Sequence, residues 1–286
     1  MRHGILLIDK PAGITSHDVV QKIRKLLGER DIGHLGTLDP AATGLLVLFV
    51  GKKALKVLEL FQGAEKEYEA EILFGKVSTT YDRDGVIEES PKKAGWEEPS
   101  EAVLLKILRE KFTGLINQRP PAHSALHLHG RRAYELMHEN PDAIIDMPMR
   151  PVTISAIQLI SYGYPHAKLR VACSSGTYIR SIAHDLGGFL RCGAYLEGLR
   201  RTRVGAWSLS DANTIEVAAW GQVIPLKEIL SVFPRYDLSE EEWKDIEHGR
   251  SIAIDLTEEP LIAWFENLPV AIMERDERGA HPRKVF

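Results

Sequence analysis

One carboxylate stands out as a candidate for chemistry. Residues 33–44 read GHLGTLDPAATG, which sets a lone acidic side chain, Asp39, among glycines, threonines and alanines, just ahead of the apolar run LLVLFV. A carboxylate held in a rigid loop can serve as nucleophile or general base. The same Asp-Pro pair also suits the N-cap and first position of a helix, although PAATG leaves room for only about one helical turn. A second candidate is HSALHLH at residues 123–129, where His123 and His127 have the i, i+4 spacing of a helical metal pair and His129 follows. No acidic or cysteine ligand lies close in sequence, and the neighbouring prolines and arginines favour an exposed polar arm. DRDG at residues 82–85 begins like a calcium loop, but Lys93 stands where that loop needs its closing glutamate. Without a G-x-S-x-G, a phosphate-cradling glycine motif or a well-placed Cys-His pair, acyl transfer and nucleotide hydrolysis are poor candidates.

The elements that must position such groups follow from periodicity. GILLID reads as a short buried strand and TSHDVVQKIRKLLG as a helix, with Val19, Val20, Ile23, Leu26 and Leu27 on its apolar face, Thr15 or Ser16 as cap and Gly28 as terminator. After the Asp39 loop come the strand LLVLFV and a helix from Lys52 to near Gly63. KEYEAEILFG alternates, so Tyr68, Ala70, Ile72 and Phe74 share a buried strand face while Glu67, Glu69 and Glu71 point away. An amphipathic helix, SEAVLLKILREKFTG, precedes a stretch between residues 116 and 151 rich in Pro, His and Arg, read as an exposed arm with one short helical patch, RRAYELMH. Strands return in PVTISAIQLISY and AKLRVACSS. GTYIRSIAHDLGGFL reads as a helix capped by Thr177, with Arg180 in its first turn; a cation gains nothing there from the helix dipole and calls for a partner anion. PLKEILSVFP gives a short helix. The tail has alternating runs, SIAIDL, LIAWFEN and PVAIMER, that predict a small β unit. The whole predicts an α+β fold with a mixed, largely antiparallel sheet flanked by helices.

Composition excludes little. The 286 residues are 44% hydrophobic, enough for a sizeable core, and no apolar run has the length of roughly 20 residues that a spanning helix needs. Cys173 and Cys192 lack C-x-x-C spacing, and the N-terminus reads as no signal peptide, so reduced thiols and a cytoplasmic protein are expected. The net charge of −4 is uneven: residues 236–286 hold 13 acidic and 6 basic side chains, leaving 27 acidic and 30 basic in the remainder. Within that mildly basic remainder, LRRTR at residues 199–203 and HLHGRRAY at residues 127–134 could face a phosphate backbone or simply be solvated.

Taken in order, the blocks LIDKPAGITSHDVV, GHLGTLDPAATGLL, KEYEAEILFG, STTYDRDG, RPPAHSALHLHGRRAYEL, CSSGTYIRSIAHDLG and CGAYLEGLRRTRVG resemble the TruB family of tRNA pseudouridine-55 synthases over residues 3–210. The resemblance implies the pseudouridine synthase fold over residues 1–232, with an RNA-binding arm at about 117–150, and a short PUA-like β domain at 233–286. It implies isomerisation of uridine in the T loop of tRNA by a monomer that needs no metal, cofactor or obligatory protein partner. Asp39 matches the catalytic carboxylate, Arg180 the arginine that pairs with it, and Tyr68 the ring that lies against the base. His34 matches the residue that fills the vacated space in the T loop, Leu199 an apolar contact, and Tyr178, Arg131, Arg132 and Arg200 are expected to bind substrate. Two other readings fit the same surface: an RNA-binding or RNA-folding module without chemistry, and a guide-dependent synthase subunit. The chain departs from the family pattern in the arm, where His123, His127, Met137 and His138 remove positive charge at neutral pH.

Overall fold

The computed structural model describes residues 3–124, 126–128, 131–133, 137, 139, 146–277 and 279–286, without the side chains of residues 127, 128, 131 and 132. Strand β1 (Gly4–Lys10) leads into helix α1 (Ser16–Leu27), which Thr15 caps by accepting from the Asp18 amide, and Gly28 closes it in the left-handed conformation. Val19, Val20, Ile23 and Leu27 are buried, but Leu26, expected on the same face, is 52% exposed. β2 (Ile32–His34) and β3 (Thr43–Val50) flank the Asp39 loop, and α2 (Lys52–Val57) follows, continued by a single 3-10 turn, Leu58–Phe61. β4 (Lys66–Phe74) shows the anticipated alternation, with Tyr68, Ala70, Ile72 and Phe74 all buried.

A small hairpin of β5 (Lys76–Ser78) and β6 (Ile87–Glu89), then helix α3 (Glu101–Lys111), lead to β7 (Gly114–Gln118). The start of the expected arm is therefore a sheet strand, because β7 pairs with β10 (Arg150–Gly163). Between them β8 (His127–Leu128) pairs with β9 (Arg131–Arg132), so the two arginines are in a strand and not in the expected helical patch. β11 (His166–Cys173), α4 (Ile179–Phe189), β12 (Ala194–Val204), β13 (Trp207–Ser208), β14 (Ile224–Pro225) and α5 (Leu226–Ile229) complete the first body of structure.

The main sheet runs β14-β1-β3-β12-β4-β11-β10-β7, with β2 added to β3 and β13 to β12. All its pairings are antiparallel except β3 with β12, which touch in parallel only at Arg200↔Thr43 and Arg201↔Gly44. That seam needs a glycine: Gly44 has φ 101°, and a Cβ there would stand 2.3 Å from the carbonyl oxygen of Arg201. One core packs α3 and α4 beneath β4, β11 and β12. Two more cover the faces of β1 and β3.

The tail forms a second, four-stranded sheet: β15 (Arg235–Asp237), β16 (Leu261–Phe265), β17 (Leu268–Asp276) and β18 (Gly279–Val285). Its own cluster includes Leu238, Ile246, Ile252 and Met273, yet Ile262, Trp264 and Ile272 join the core beneath β1 and β3. Helix α6 (Glu240–Glu247) sits in this tail although no sequence signal was read for it, and SIAIDL contributes only an isolated bridge, Ile252↔Ala280, instead of a strand. Among the described residues no helix is long and apolar enough to cross a membrane.

Candidate active site

The loop between β2 and β3 is fastened from beneath. Ser16, 1% exposed, both accepts from the Leu38 amide at 2.9 Å and donates to its carbonyl at 3.0 Å. Lys10, fully buried at the end of β1, donates to the carbonyls of Pro11, Ile14 and Pro40 at 2.9, 2.7 and 3.2 Å. Three carbonyl acceptors satisfy the ammonium, while burial lowers its pKa and the nearby Asp39 carboxylate opposes that fall. Asp39 and Pro40 enter a turn closed by the Ala42 amide donating to the Asp39 carbonyl at 3.1 Å. No helix follows, so the helix-cap reading of Asp39 does not hold.

The Asp39 side chain meets a guanidinium held on all sides. Nε of Arg180 lies 3.2 Å from Oδ2 of Asp39. Nη1 donates to Oδ2 of Asp82 at 3.1 Å and to the Thr80 carbonyl at 3.4 Å, and Nη2 donates to the His123 carbonyl at 3.2 Å. Asp82 is fixed in its turn by the Thr80 hydroxyl at 2.5 Å and the Asp84 amide at 3.1 Å. Arg180 and Asp82 are both buried. Burial pushes the Asp39 carboxyl above the ordinary carboxylate range; Arg180 pulls it down, and the charges of Asp82 and Asp84 push it up again. About 44% of its side-chain surface is open, but that surface faces a recess walled by protein, so the group is still largely stripped of bulk water.

Asp39 and Arg180 line a cavity of about 470 Å³, together with Tyr68, Leu199, Tyr178 and Arg201. This is room for a nucleoside-sized group. Tyr68 is buried on β4, and its phenol is pushed upward by burial against the pull of Arg201, so it stays neutral near pH 7. Tyr178 heads α4, and the Gln118 side chain holds its backbone at both ends: Gln118 Nε2 donates to its carbonyl at 2.9 Å and Gln118 Oε1 accepts from its amide at 2.8 Å. Tyr178 is therefore the N-cap of α4, and Thr177, expected there, instead donates to the Ser174 carbonyl at 2.9 Å.

The structure thus brings Asp39, Tyr68, Arg180, Leu199 and Tyr178 together. It does not bring in Arg200, which points to the other face of β12 and pairs with Asp9 at 2.7 Å. The arginine that enters the cavity is Arg201, fully buried, whose guanidinium donates to the carbonyls of Leu45, Thr37 and Gly36. Burial, and after it the Arg201 charge, lowers the pKa of His34. His34 is half-buried on β2 and is not among the cavity-lining residues. The side chains of Arg131 and Arg132 lie outside the described residues. Among the described residues no cluster of three His, Cys, Asp or Glu side chains is arranged to hold a metal; the His127 side chain and His129 fall outside them.

Family comparison bears on this geometry directly. The model of the TruB family pseudouridylate synthase N-terminal domain matches residues 24–179, more than half of the chain, and that of the tRNA pseudouridylate synthase B C-terminal domain matches residues 180–221. The chain belongs to the TruB family. Relatives called tRNA pseudouridine synthase B include one from Leifsonia xyli, 43% identical over 87% of this chain and 83% of that protein, and one from Streptococcus sanguinis, 36% identical over 99% of both. A chain in a solved H/ACA RNP bound to a substrate RNA containing 2′-deoxyuridine superposes with a TM-score of 0.71 at 22% identity, covering 99% of this chain and 84% of that one. That likeness establishes the pseudouridine synthase fold. In this TruB-family chain, sequence reasoning passed over Asp82, Arg201 and Lys10. For Arg201 a signal existed: residues two apart share a strand face, so Leu199 in the cavity implies Arg201 and not Arg200.

Proposed function

We propose that this protein isomerises uridine to pseudouridine in tRNA, at position 55 of the T loop, with Asp39 as the catalytic carboxylate. The observation that carries this reading is the Asp39 carboxylate held by a buried Arg180, itself anchored by Asp82 and two backbone carbonyls, inside a nucleoside-sized recess. The curated relatives named tRNA pseudouridine synthase B, at 36–43% identity, support tRNA as the substrate.

The reaction breaks the bond between ribose C1′ and uracil N1 and forms one between C1′ and C5. The C5 proton leaves to solvent and N1 gains one, so the product is an isomer. Asp39, ionised, attacks C6 of the ring or C1′ of the sugar, or assists loss of the base as a glycal forms. Arg180 keeps the carboxylate oriented and favours its charged form against the desolvation that raises its pKa. Tyr68 offers the base a flat apolar face and a neutral phenol beside Arg201, suited to relaying the C5 proton. Leu199 packs on the base from β12, and Tyr178 closes the head of α4 over it. The target uridine must leave the T-loop stack, at roughly a few kcal/mol. In this reading His34 occupies the space it vacates, while Arg131, Arg132 and the arm at about 117–150 close over the RNA backbone. Residues 233–286 act as a short PUA-like domain. The protein works in the cytoplasm as a monomer without a protein partner.

The test uses the purified full chain alone with an unmodified T-arm transcript. Pseudouridine should form at the single T-loop position without guide RNA, accessory protein or added metal. No conversion, or conversion only when guide RNA is supplied, overturns the reading.

A further inference from the structure

The clamp on Arg180 depends on Asp82, and Asp82 depends on its neighbour in an unusual way. Tyr81 has φ 67°, left-handed backbone that a bulky side chain adopts only when the surroundings hold it there. The surroundings are identifiable. The Tyr81 ring stacks on His184 with centroids 3.8 Å apart and planes 14° from parallel. Its amide donates to the Ser78 carbonyl at 3.1 Å, and its carbonyl accepts from the Leu196 amide at 2.9 Å, beside an isolated bridge between Asp82 and Leu196. Asp82 is thereby turned inward, where its carboxylate reaches Arg180 at 3.1 Å.

His184 and Arg180 are four residues apart on α4, hence on one face of the helix. The loop is therefore tied to that face twice, by the Asp82 carboxylate on Arg180 and by the Tyr81 ring on His184. Neither Tyr81 nor His184 lines the cavity that holds Asp39. We infer that Tyr81 and His184 form a stacked pair of positioning residues, which hold the loop against α4 so that Asp82 fixes Arg180, and through it Asp39, in the geometry the isomerisation needs. The inference rests on the function proposed above.

The experiment measures single-turnover rate and tRNA KM on the T-arm transcript for the full chain, with melting temperature alongside. Tyr81→Gly accepts the left-handed backbone without strain but removes the ring; Tyr81→Phe keeps the ring; His184→Ala removes its partner. An aromatic pair of ordinary strength corresponds to a rate loss of about three- to tenfold. Tyr81→Gly and His184→Ala should each show that loss with KM unchanged within about twofold, the double variant should be no slower than either single one, and Tyr81→Phe should match wild type. A wild-type rate for Tyr81→Gly or His184→Ala, multiplying losses in the double variant, or an equal loss in Tyr81→Phe overturns the inference while the function stands. If Tyr81→Gly fails to fold, His184→Ala and Tyr81→Phe still decide the point. An inactive wild-type protein overturns the proposed function and this inference with it.

Discussion

Replacing Asp82 with asparagine separates the two things its carboxylate does. The side chains of Arg180 and Asp82 are 9% and 12% exposed, so their 3.1 Å contact is made out of water. Breaking a buried ion pair by removing one partner costs about 3–5 kcal/mol. Here asparagine keeps an oxygen for the Thr80 hydroxyl and the Asp84 amide, and Asp39 remains as a second carboxylate for Arg180. The expected loss of stability is therefore smaller, about 1–3 kcal/mol, read from urea unfolding. The effect on rate should be larger, because Nη1 keeps only the long bond to the Thr80 carbonyl and the guanidinium can rotate about its Asp39 contact. Misplacing a catalytic group by about 1 Å costs on the order of 100-fold, close to 2.7 kcal/mol in the barrier. The pH profile supplies an independent sign. The Asp82 charge pushes the Asp39 pKa up, so its removal should lower that pKa and move the acid limb of kcat/KM to lower pH even as the maximum falls. A turnover within about threefold of wild type refutes the assignment of Asp82 as the holder of Arg180.

Two further outcomes follow. On β12, Arg201→Met should cut single-turnover rate by about tenfold or more and lower stability, since it removes the guanidinium that donates to three carbonyls, whereas Arg200→Ala should change the rate by less than about threefold. Asp185 on α4 is pushed up from 3.8 to about 6, chiefly by burial, with Arg119 opposing. A carboxyl whose folded pKa is raised favours the folded state below its unfolded pKa and loses that contribution as pH rises through about 6. Asp185→Asn should therefore raise stability by about 1–2 kcal/mol at pH 8, after allowance for its partial exposure, and change little at pH 4, as thermal melts at the two pH values would show.

The parts of the site legible in sequence were those with a local signature. Tyr68 could be assigned to a buried face because strand alternation has a period of two, and its 7% exposure agrees. Asp39 stood out because a lone acid in a glycine-rich loop has room behind it for only about one helical turn to cap, and Arg180 because a cation in a first helical turn needs an anion. The anion has two sources, and the second was not legible. Asp82 sits in a polar turn whose composition reads the same whether the turn faces solvent or a buried guanidinium. Lys10 was missed because full burial of a lysine is rare and depends here on carbonyls from two stretches of chain, Pro11 and Ile14 in the next turn and Pro40 in the Asp39 loop. The architecture was legible as strands and helices, but the single parallel seam between β3 and β12, which begins just after the Asp39 loop, joins residues more than 150 apart and has no local pattern. In the tail, helix α6 has a serine cap with glutamate three residues on, Ser239 and Glu242, a capping box that the sequence did offer.

The most direct test of the account is Asp39→Asn, assayed by pseudouridine formation on the T-arm transcript alongside RNA binding. Asparagine is nearly isosteric and removes a charge whose burial is only partly offset, so the variant should fold, bind the RNA within about threefold of wild type, and form no detectable pseudouridine. Turnover at the wild-type rate would contradict the central claim that Asp39 carries the chemistry.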